Sequence, residues 1–400
     1  MRIMVVSATA MPIPAYKGGA TETLVTQLLN KIQPSDDLSI DVFSNCGKEA
    51  DYSDGNEYIK YHYVAASAFD RLYTLFFRVL RLVLLKKTNI PSAFARRLCK
   101  TVDLNRYDAI LMEGDKNQVN IFRRRFKKTL ILHIHTVMTF TKDTPFAKKI
   151  FDNCDYVLAN SLYTQRIISE IDINRKDKVI ALPNCIDLSA FKLQNRSEVR
   201  NEIRKKYNID DSDFVYIYCG RIEPGKGVKE LIKAFAECGS NAKLMIVGAS
   251  WYASNKKTKY VKEIIELSKG FEDRIIFTGY IPHSEIEKYY SAADICVVPS
   301  IYAEAACLVV LEAQACGLRA IASNIGGIPE FAFKNSSVLI KTDGEFVEKL
   351  SEEMLKAQTN EYNAEIDDEL HSFLRSHDTE QYYVNFKSYL KNIEGNCYEQ

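Results

Sequence analysis

The chain repeats one pattern along most of its length, a short apolar strand followed by a helix or by a loop that leads into one. The first set of predicted strands lies at 2–7, 38–44, 58–64, 108–113, 129–135, 155–160 and 178–184. The second set lies at 213–220, 242–248, 274–279, 294–300, 319–323 and 337–341. Strands that alternate with helices pair in parallel, so this pattern predicts an α/β fold with doubly wound sheets.

The pattern breaks after Pro183 and resumes at 213, which predicts two Rossmann-like domains joined near 184–196. The length of 400 residues is enough for two hydrophobic cores. We place the domains at 1–188 and 189–378, followed by a C-terminal helix within 379–400. Aromatic residues recur in that helix at helical spacing, and this stripe predicts that the helix packs back on the first domain.

Composition excludes several classes of protein. The net charge of +1 gives no general signal for nucleic-acid binding. The ten cysteines include no CxxC pair, which favours buried thiols in a reducing, cytoplasmic setting over a disulfide framework. The short apolar run at the N-terminus meets Pro12 and Pro14 at once, so it indicates a first strand and not a signal peptide. No apolar run approaches the roughly 20 residues that span a bilayer.

The stretch 299–330 carries the first candidate site. A strand ends at Pro299, a loop with Glu304 follows, and a predicted apolar helix over 305–316 contains Glu312. A glutamate eight residues after another is common by chance and can be a solvated acid. In such an apolar helix, however, a carboxylate is costly unless a partner pairs with it. Open α/β sheets bind ligands at the carboxyl ends of their strands, which is where this unit lies.

The second candidate site is the loop 220–227, which has the sequence GRIEPGKG and follows the first strand of the second domain. It lacks the GKS or GKT ending of a P-loop, so it does not predict an ATPase. Arg221 and Lys226 place two cations beside a predicted helix N-terminus, an arrangement that suits a diphosphate. A plain basic turn is the alternative interpretation.

The first domain offers two weaker candidates. Gly18 and Gly19 lie between its first strand and first helix, where a backbone can approach a phosphate or a sugar. No GxGxxG motif is present, which argues against a nicotinamide dehydrogenase. His133 and His135 end an apolar strand and share one face of it. No third ligand stands out nearby, so we predict no metal site and treat His135 as a candidate sugar contact.

The segment 71–100 is unlike the rest of the chain, because it has eight basic residues, no acid and many large apolar residues. A second basic run at 122–128 adds five positive charges. We predict that both segments contact an anionic membrane surface. The alternative is a surface helix of the domain with a solvated face.

These motifs, in their order, resemble the retaining GT-B glycosyltransferases of family four, also called glycosyltransferase group 1. Pro183–Asp187 with Phe191 resembles the family's junction between domains, and 220–227 resembles its phosphate loop. The run 277–300 is similar to the family's strand, helix and Pro-Ser segment. Glu304 and Glu312 match its E-x7-E motif, and 326–330 matches its GGxPE turn. The resemblance covers nearly the whole chain and has a form typical of bacterial polysaccharide enzymes.

The resemblance implies a GT-B fold, with two Rossmann-like domains facing each other across a cleft, and a role for each candidate residue. Arg221 and Lys226 would bind the donor diphosphate, Glu312 the ribose and Glu304 the donor sugar. Catalysis would involve Glu304 and His135. Further donor contacts would come from Gly18, Gly19, Tyr280, Leu308 and Val309.

The expected activity is transfer of a hexose or N-acetylhexosamine from a nucleotide-diphosphate sugar, with retention of the anomeric configuration. Among such donors, the resemblance favours a UDP-sugar. The acceptor would be a lipid-linked oligosaccharide or polysaccharide of capsule, exopolysaccharide or lipopolysaccharide assembly. The resemblance implies no metal and no cofactor besides the donor. It implies a cytoplasmic enzyme, peripheral on the inner face of the cell membrane. The alternatives are a sugar-nucleotide epimerase of the same fold and a non-catalytic nucleotide-sugar-binding partner.

Overall fold

The structure is a computed structural model. It describes residues 1–7, 11–15, 19–45, 57–83, 91–136, 145–171, 173–191, 196–239, 241–250, 258–359 and 368–398. The chain forms two compact units: unit 1 is Met1–Pro183 with Tyr383–Gln400, and unit 2 is Asn184–Tyr382. The sequence analysis predicted the boundary between the two domains at 188/189 and the start of the C-terminal helical segment at 378/379.

Unit 1 is built on a seven-stranded parallel sheet with the order β3-β2-β1-β4-β5-β6-β7. Its strands are β1 (Arg2–Val6), β2 (Ser39–Ser44), β3 (Ile59–Tyr63), β4 (Ala109–Glu113), β5 (Thr129–Ile134), β6 (Tyr156–Ala159) and β7 (Val179–Ala181). Its helices are α1 (Ala20–Lys31), α2 (Ala68–Val83), α3 (Ala93–Thr101), α4 (Val119–Arg123), α5 (Pro145–Asn153) and α6 (Leu162–Ser169). The strand order reverses between β1 and β4, so the carboxyl ends of these two strands flank the switch point of the sheet.

Unit 2 has a six-stranded parallel sheet with the order β10-β9-β8-β11-β12-β13. Its strands are β8 (Val215–Cys219), β9 (Lys243–Val247), β10 (Ile275–Gly279), β11 (Ile295–Val298), β12 (Arg319–Ser323) and β13 (Ser337–Ile340). The helices are α7 (Arg196–Lys206), α8 (Val228–Glu237), α9 (Lys259–Leu267), α10 (Ile286–Ala292), α11 (Leu308–Ala315), α12 (Phe346–Gln358) and α13 (Asp368–Ser376). Here the order reverses between β8 and β11.

Both faces of the central strands are buried, as their near-continuous apolar sequences require. In β8, Val215 and Ile217 face one core of unit 2, whereas Tyr216 and Tyr218 face the other. Because both faces of β8 are buried in apolar cores, its sequence does not alternate between apolar and polar residues. All thirteen predicted strands are present, each within a few residues of its predicted limits.

The last helix, α14 (Thr379–Tyr398), makes polar contacts within unit 1 from Tyr383 onward. The Lys387 ammonium lies 2.9 Å from the Asp36 carboxylate, and the Tyr383 hydroxyl donates to the same carboxylate. The Tyr389 hydroxyl donates to the Ala181 carbonyl at 2.7 Å. These contacts join the end of the chain to the loop after α1 and to β7.

Two predicted helices have different limits from those expected. The helix predicted at 305–316 begins only at Leu308, because 299–307 forms a loop packed against two neighbouring loops. The segment 71–100 contains two helices, α2 and α3, with 84–90 outside the described residues. Helix α3 buries Phe94, Ala95 and Leu98 in the core, so this half of the segment is part of the domain. In the described part of the chain, no helix is long and apolar enough to cross a membrane.

Unit 2 depends on one buried cation, Arg204 of α7, which is 1% exposed. Its guanidinium donates to the carbonyls of Ala292, Asp210, Asp211 and Asp213 at 2.8–3.2 Å. It also lies 3.1 Å from Asp294, whose carboxylate accepts from the Val215 amide at the start of β8. Arg204 therefore joins α7 to the amino-terminal edge of the sheet.

We expect Arg204→Met to lower the free energy of unfolding by about 3–5 kcal/mol, because it leaves four carbonyls without their donor and removes one of the two arginines paired with Asp294. Urea denaturation followed by circular dichroism measures this change. Lys205→Met, on the exposed face of the same helix, is the control and should change stability by less than about 0.5 kcal/mol. Equal stability of the two variants would contradict the role given to Arg204.

Candidate active site

The candidate site of unit 2 lies at the switch point between β8 and β11, where two loops leave the sheet side by side. The first loop, 220–227, connects β8 to α8, and the second, 299–307, connects β11 to α11. Crevices at such a point receive ligands in open α/β sheets, because adjacent loops there turn to opposite sides. The sequence placed Arg221, Lys226 and Glu304 on these two loops.

Glycines allow the two loops to touch through their backbones. Gly227 has a φ of +69°, and a Cβ atom added there would lie 1.8 Å from the Pro299 carbonyl oxygen. The Ile301 amide donates to the Gly225 carbonyl at 3.0 Å, which fixes the register of the two loops. A third loop, after β12, approaches in the same way, since a Cβ on Gly326 would lie 2.6 Å from the Glu304 nitrogen. Residue 227 therefore has to be glycine on two counts, conformation and space.

This packing brings Lys226 and Glu304 together. The Lys226 ammonium lies 2.7 Å from Glu304 Oε2, and the Ser300 hydroxyl donates to Glu304 Oε1. Burial opposes the charge on Lys226, but the Glu304 carboxylate outweighs burial and raises the pKa of the lysine above its usual value. The Lys226 ammonium is consequently charged near neutral pH.

Arg221 lies at the other end of the same loop. Its guanidinium is 3.0 Å from the Glu223 carboxylate, and both side chains are partly exposed. The Tyr218 hydroxyl donates to the Arg221 carbonyl at 2.7 Å, so a buried strand residue fixes the backbone at this position. The side chain of Arg221 thus remains near solvent on a fixed backbone.

Glu312 is buried in α11, and both of its oxygens have partners. His283 Nε2 lies 2.8 Å from Oε1, and the Tyr290 hydroxyl donates to Oε2 at 3.0 Å. Tyr290 is fully buried, whereas the His283 side chain is 57% exposed. The hydrogen bond and charge of Glu312 raise the pKa of His283. Sequence analysis predicted that this carboxylate needs a partner but did not find His283 or Tyr290, which lie 29 and 22 residues away.

The remaining predicted residues of unit 2 lie on neighbouring elements. Leu308 and Val309 are the first two residues of α11 and are partly buried, and Tyr280 directly follows β10. The structure therefore places them at the carboxyl edge of the sheet. Their predicted contacts with a donor remain predictions.

In unit 1, the switch point between β1 and β4 is flanked by Gly19 and Glu113. Gly19 precedes α1 with a φ of +107°, and a Cβ atom there would lie 2.3 Å from the Glu22 carboxylate. Gly18 lies outside the described residues. Both predicted histidines meet Glu113 Oε2, with His133 Nδ1 at 3.0 Å and His135 Nε2 at 2.8 Å. His133 lies in β5 and His135 directly follows it; their side chains point to the same side, as predicted, and their ring centroids are 4.1 Å apart.

The charges in this cluster are set by burial and by Glu113. Burial would raise the pKa of Glu113, but the two imidazoles outweigh burial and lower it to about 2. Burial, with His133 beside it, lowers the pKa of His135 to about 4. Because an ionised carboxylate only accepts hydrogen bonds, both histidines donate to it through the nitrogens named above. His135 Nδ1 is then an acceptor, and this atom is buried without a partner among the described residues.

Glu113 was missed by sequence analysis, since its position at the end of β4 carried no motif. It supplies the third side chain that a metal site at His133 and His135 would need, and the three potential ligand atoms lie within 4.8 Å of one another. The three residues can hold a divalent cation. The hydrogen bonds to Glu113 account equally well for their arrangement, and the prediction of no metal remains a prediction.

Residues 199–371 match the model of the family described as glycosyl transferases group 1. This part of the chain is a group 1 glycosyltransferase domain. The resemblance found in the sequence is therefore confirmed, and the matched range contains both candidate loops together with Glu312. Over 337 residues, the chain is 28% identical to the lipopolysaccharide 1,2-N-acetylglucosaminetransferase of Salmonella typhimurium. That match covers 80% of this chain and 79% of the relative.

Solved structures confirm the GT-B fold class around this group 1 domain. Alr3699/HepE from Anabaena, in complex with UDP and glucose, aligns over 98% of this chain and 100% of its own. The TM-score is 0.73 at 19% identity. The lipopolysaccharide outer core galactosyltransferase WaaB aligns over 98% and 99% of the two chains, with a TM-score of 0.67 at 16% identity. At these identities the alignments establish the fold alone.

The contact between Glu312 and His283 leads to a pH-dependent prediction. Glu312→Gln should lower the pKa of His283 toward about 6.5, because the charge that raises it is gone. A folded-state pKa above the unfolded value adds stability that is complete below the unfolded pKa and is lost as pH rises through the folded pKa. The wild type should therefore lose this contribution between about pH 6.5 and the raised pKa, and the variant should not.

Two-dimensional NMR of the histidine ring protons measures this pKa, with the His283 resonance assigned through His283→Gln. Glu348→Gln, an exposed acid on α12, is the control and should leave the pKa of His283 unchanged. An identical His283 titration in the wild type and in Glu312→Gln would show that the two side chains do not interact in solution.

Proposed function

We propose that this protein is a retaining glycosyltransferase that transfers a hexose or an N-acetylhexosamine from a UDP-sugar to a lipid-linked glycan. The observation that carries the proposal is the Lys226–Glu304 pair at the switch point of the group 1 domain, with the buried Glu312 on the helix that follows. A cation at that position suits a diphosphate, and a carboxylate beside it suits sugar hydroxyls. Glu312, with two fixed oxygens, suits the two hydroxyls of a ribose.

The relatives support the choice of substrates. A lipopolysaccharide N-acetylglucosaminetransferase and a lipopolysaccharide galactosyltransferase are both similar to this chain, and HepE is seen with UDP and glucose. These names favour a UDP-sugar as the donor and a lipopolysaccharide glycan as the acceptor, and our proposal extends the acceptor to glycans of capsule or exopolysaccharide assembly. The cytoplasmic face of the cell membrane is the matching location.

The proposed reaction breaks the bond between the anomeric carbon and the diphosphate oxygen. Negative charge then develops on the leaving diphosphate, where Lys226 and Arg221 stabilise it. The acceptor hydroxyl attacks from the same face and gives its proton to the departing phosphate oxygen, so the anomeric configuration is retained. Lys226 exchanges Glu304 for the diphosphate during binding, which releases the carboxylate toward the sugar. Lys226 and Arg221 supply the positive charge, so we propose that no metal takes part.

His135 has a separate proposed role in unit 1. Glu113 holds its ring with Nε2–H directed at the carboxylate, which leaves Nδ1 as an acceptor for a sugar hydroxyl. Glu113 is then a positioning residue for His135. Gly19, at the same sheet edge, allows a backbone amide to approach the same ligand.

Turnover of a donor panel tests the proposal. Wild-type protein, a membrane extract carrying the acceptor and radiolabelled UDP-sugars should give a labelled glycolipid, whose linkage retains the donor's anomeric configuration by NMR. Glu304→Gln and Lys226→Gln should each lower kcat by about 10²–10³, because each removes a group that stabilises the transition state. Lys233→Gln, exposed on α8, is the control and should keep full activity.

Three results would contradict the proposal. Transfer with inversion would exclude the mechanism, an isomerised donor formed without acceptor would indicate an epimerase, and nucleotide-sugar binding without any turnover would indicate a binding partner.

Turnover in EDTA should equal turnover in buffer if no metal takes part. Loss of activity in EDTA, restored by a divalent cation, would indicate a metal-dependent reaction, with Glu113, His133 and His135 as the candidate metal ligands.

We also propose that α2 is the element of the segment 71–100 that lies on the membrane. One side of α2 contacts unit 1 through Asp70, which pairs with Arg97 of α3. The opposite side exposes an unbroken apolar stripe, 49–75% accessible, formed by Phe69, Leu72, Leu75, Phe76, Val79 and Leu82. Arg71 and Arg78 flank this stripe, as in helices that lie in an anionic interface. In the run 122–128, Phe122 and Phe126 are buried, so only its exposed basic residues remain for the lipid surface.

Flotation with vesicles that contain phosphatidylglycerol tests the membrane proposal. The double variant Leu72→Ser/Leu82→Ser should lower the partition coefficient at least about tenfold, because it removes apolar area that would enter the interface. Leu355→Ser/Val384→Ser, at similarly exposed apolar positions, is the matched control and should float like the wild type. Binding should also weaken as salt rises. Equal flotation of the two double variants would contradict a role for α2.

A further inference from the structure

Glu113, His133 and His135 form a buried cluster at the carboxyl edge of the sheet in unit 1. Two adjacent strands supply it, because Glu113 ends β4, His133 lies in β5 and His135 directly follows β5. The register of the two strands pairs Glu113 with His133, which places the carboxylate beside the first imidazole. The cluster is therefore held by strand backbone, which positions ligands more accurately than a loop does.

The spacing of the three side chains matches that of ligands around one transition-metal ion. Glu113 Oε2 lies 3.0 Å from His133 Nδ1 and 2.8 Å from His135 Nε2. Ligands bound at about 2.0–2.2 Å on neighbouring corners of an octahedron or a tetrahedron are roughly 2.8–3.6 Å apart. One ion can therefore take the place of the two protons that join the carboxylate to the imidazoles.

Hydrogen bonds alone leave this cluster incomplete. Glu113 Oε1, His133 Nε2 and His135 Nδ1 are buried without a partner among the described residues. Most buried polar atoms in folded proteins are paired, so three such atoms on adjacent side chains need an explanation. A bound ion accounts for Glu113 Oε1, since a carboxylate can bind a cation through both of its oxygens.

The charges near the cluster also favour a cation. Glu22, in the first turn of α1, is 7% exposed. Burial raises the pKa of its carboxyl, and the charge of Glu113 adds to the rise, so the two acids are close to each other. In the part of the chain that the structure describes, no lysine or arginine forms an ion pair with Glu22 or Glu113. A divalent cation would supply the positive charge that these two buried acids lack.

The types of ligand indicate the type of metal. Two imidazoles and one carboxylate suit Zn²⁺, Fe²⁺, Co²⁺ or Ni²⁺, whereas Mg²⁺ and Ca²⁺ prefer oxygen ligands alone. Three protein ligands leave at least one coordination position open for water. The His135 side chain is 9% exposed, against 3% for His133 and 1% for Glu113, so solvent reaches the cluster beside His135.

We propose that Glu113, His133 and His135 bind a divalent transition-metal ion such as Zn²⁺, and that this ion inhibits the enzyme. The ion binds His133 Nδ1 and His135 Nε2, and each neutral imidazole then carries its proton on the other nitrogen. His135 Nδ1, the proposed acceptor for a sugar hydroxyl, thereby becomes a donor. The metal thus replaces the tautomer that the proposed sugar contact requires.

This inference revises the prediction of no metal site, which depended on the lack of a third ligand near the two histidines. The metal does not take part in turnover, because it binds the inactive form of the site. Inhibition rests on the proposed function, whereas metal binding does not.

Titration with Co²⁺, whose visible spectrum reports its ligands, tests the site. The wild type should gain the absorption of one Co²⁺ bound by nitrogen and oxygen, without the thiolate charge-transfer band that cysteine ligands give. Loss of a partner behind a ligand already costs about 10–100-fold in metal affinity, so His133→Gln and Glu113→Gln should each weaken binding at least about tenfold. His62→Gln, at a half-exposed histidine of β3, is the control and should bind Co²⁺ like the wild type.

Equal Co²⁺ affinity in the wild type and in both ligand variants would overturn the site, as would a wild type that gains no Co²⁺ spectrum. Glu113→Gln keeps the shape of the buried side chain and remains decisive if His133→Gln does not fold. Nitrogen-15 NMR of the histidine rings needs no ligand variant. Zn²⁺ should move the His135 proton from Nε2 to Nδ1 in the wild type, and unchanged tautomers at saturating Zn²⁺ would also overturn the proposal.

Turnover tests the inhibition. Zn²⁺ should lower wild-type turnover at least about tenfold, as the loss of one contact to the reacting sugar does, and EDTA should restore it. His133→Gln should show no such loss relative to its own rate without metal, and UDP affinity should not change with Zn²⁺. Equal inhibition of the wild type and His133→Gln would overturn the inhibitory role.

The two assays separate this inference from the proposed function. A wild type that transfers sugar but binds no Co²⁺ contradicts the metal site alone. A wild type that binds Co²⁺ through these three residues but transfers no sugar from any donor contradicts the proposed function alone.

Discussion

The close backbone approach of three loops determines the candidate site of unit 2. Gly227 lies against the Pro299 carbonyl, and Gly326 lies against the backbone of Glu304, at separations that exclude a Cβ atom. The loops after β8, β11 and β12 are held against one another in this way. The Lys226 ammonium and the Glu304 carboxylate are therefore 2.7 Å apart, although they lie on different loops. A larger residue at position 227 would move the Pro299 loop and with it the carboxylate. The close packing of the three loop backbones, more than any single polar contact, determines the positions of Lys226 and Glu304.

Each carboxylate of interest has a cationic or hydrogen-bonding partner inside its own unit. Lys226 partners Glu304, His283 and Tyr290 partner Glu312, and His133 and His135 partner Glu113. These partners offset the cost of burying charge and hold the oxygens in place. In the proposed reaction, a donor binds by exchange: its diphosphate replaces Glu304 at Lys226, and its ribose competes with His283, the more exposed partner of Glu312. Binding of the donor's diphosphate to Lys226 therefore releases the Glu304 carboxylate, which can then contact the sugar.

Much of this arrangement could be predicted from the sequence. Strand–helix alternation predicted both sheets, since buried parallel strands are continuous apolar runs with clear limits. Glycine-rich turns and the Glu304/Glu312 spacing predicted the candidate loops, because local motifs occupy a few consecutive residues. Partners that are distant in sequence could not be found, and Glu113, His283 and Tyr290 are examples. Helix limits were also missed where tertiary packing decides them, as at Leu308, where the Glu304 loop packs against Gly326 and Gly327.

The central claim is that the switch point of unit 2 binds a nucleoside diphosphate through Glu312 as well as through the loop cations. Isothermal titration of UDP into the wild type, Glu312→Gln and Glu348→Gln tests it most directly. The account predicts a dissociation constant within the usual substrate range of about 1 μM to 1 mM for the wild type and for Glu348→Gln. It predicts binding at least about tenfold weaker for Glu312→Gln, because a carboxylate makes stronger hydrogen bonds to ribose than an amide does. Equal UDP affinity in all three proteins, or no affinity for any nucleoside diphosphate, would contradict the account.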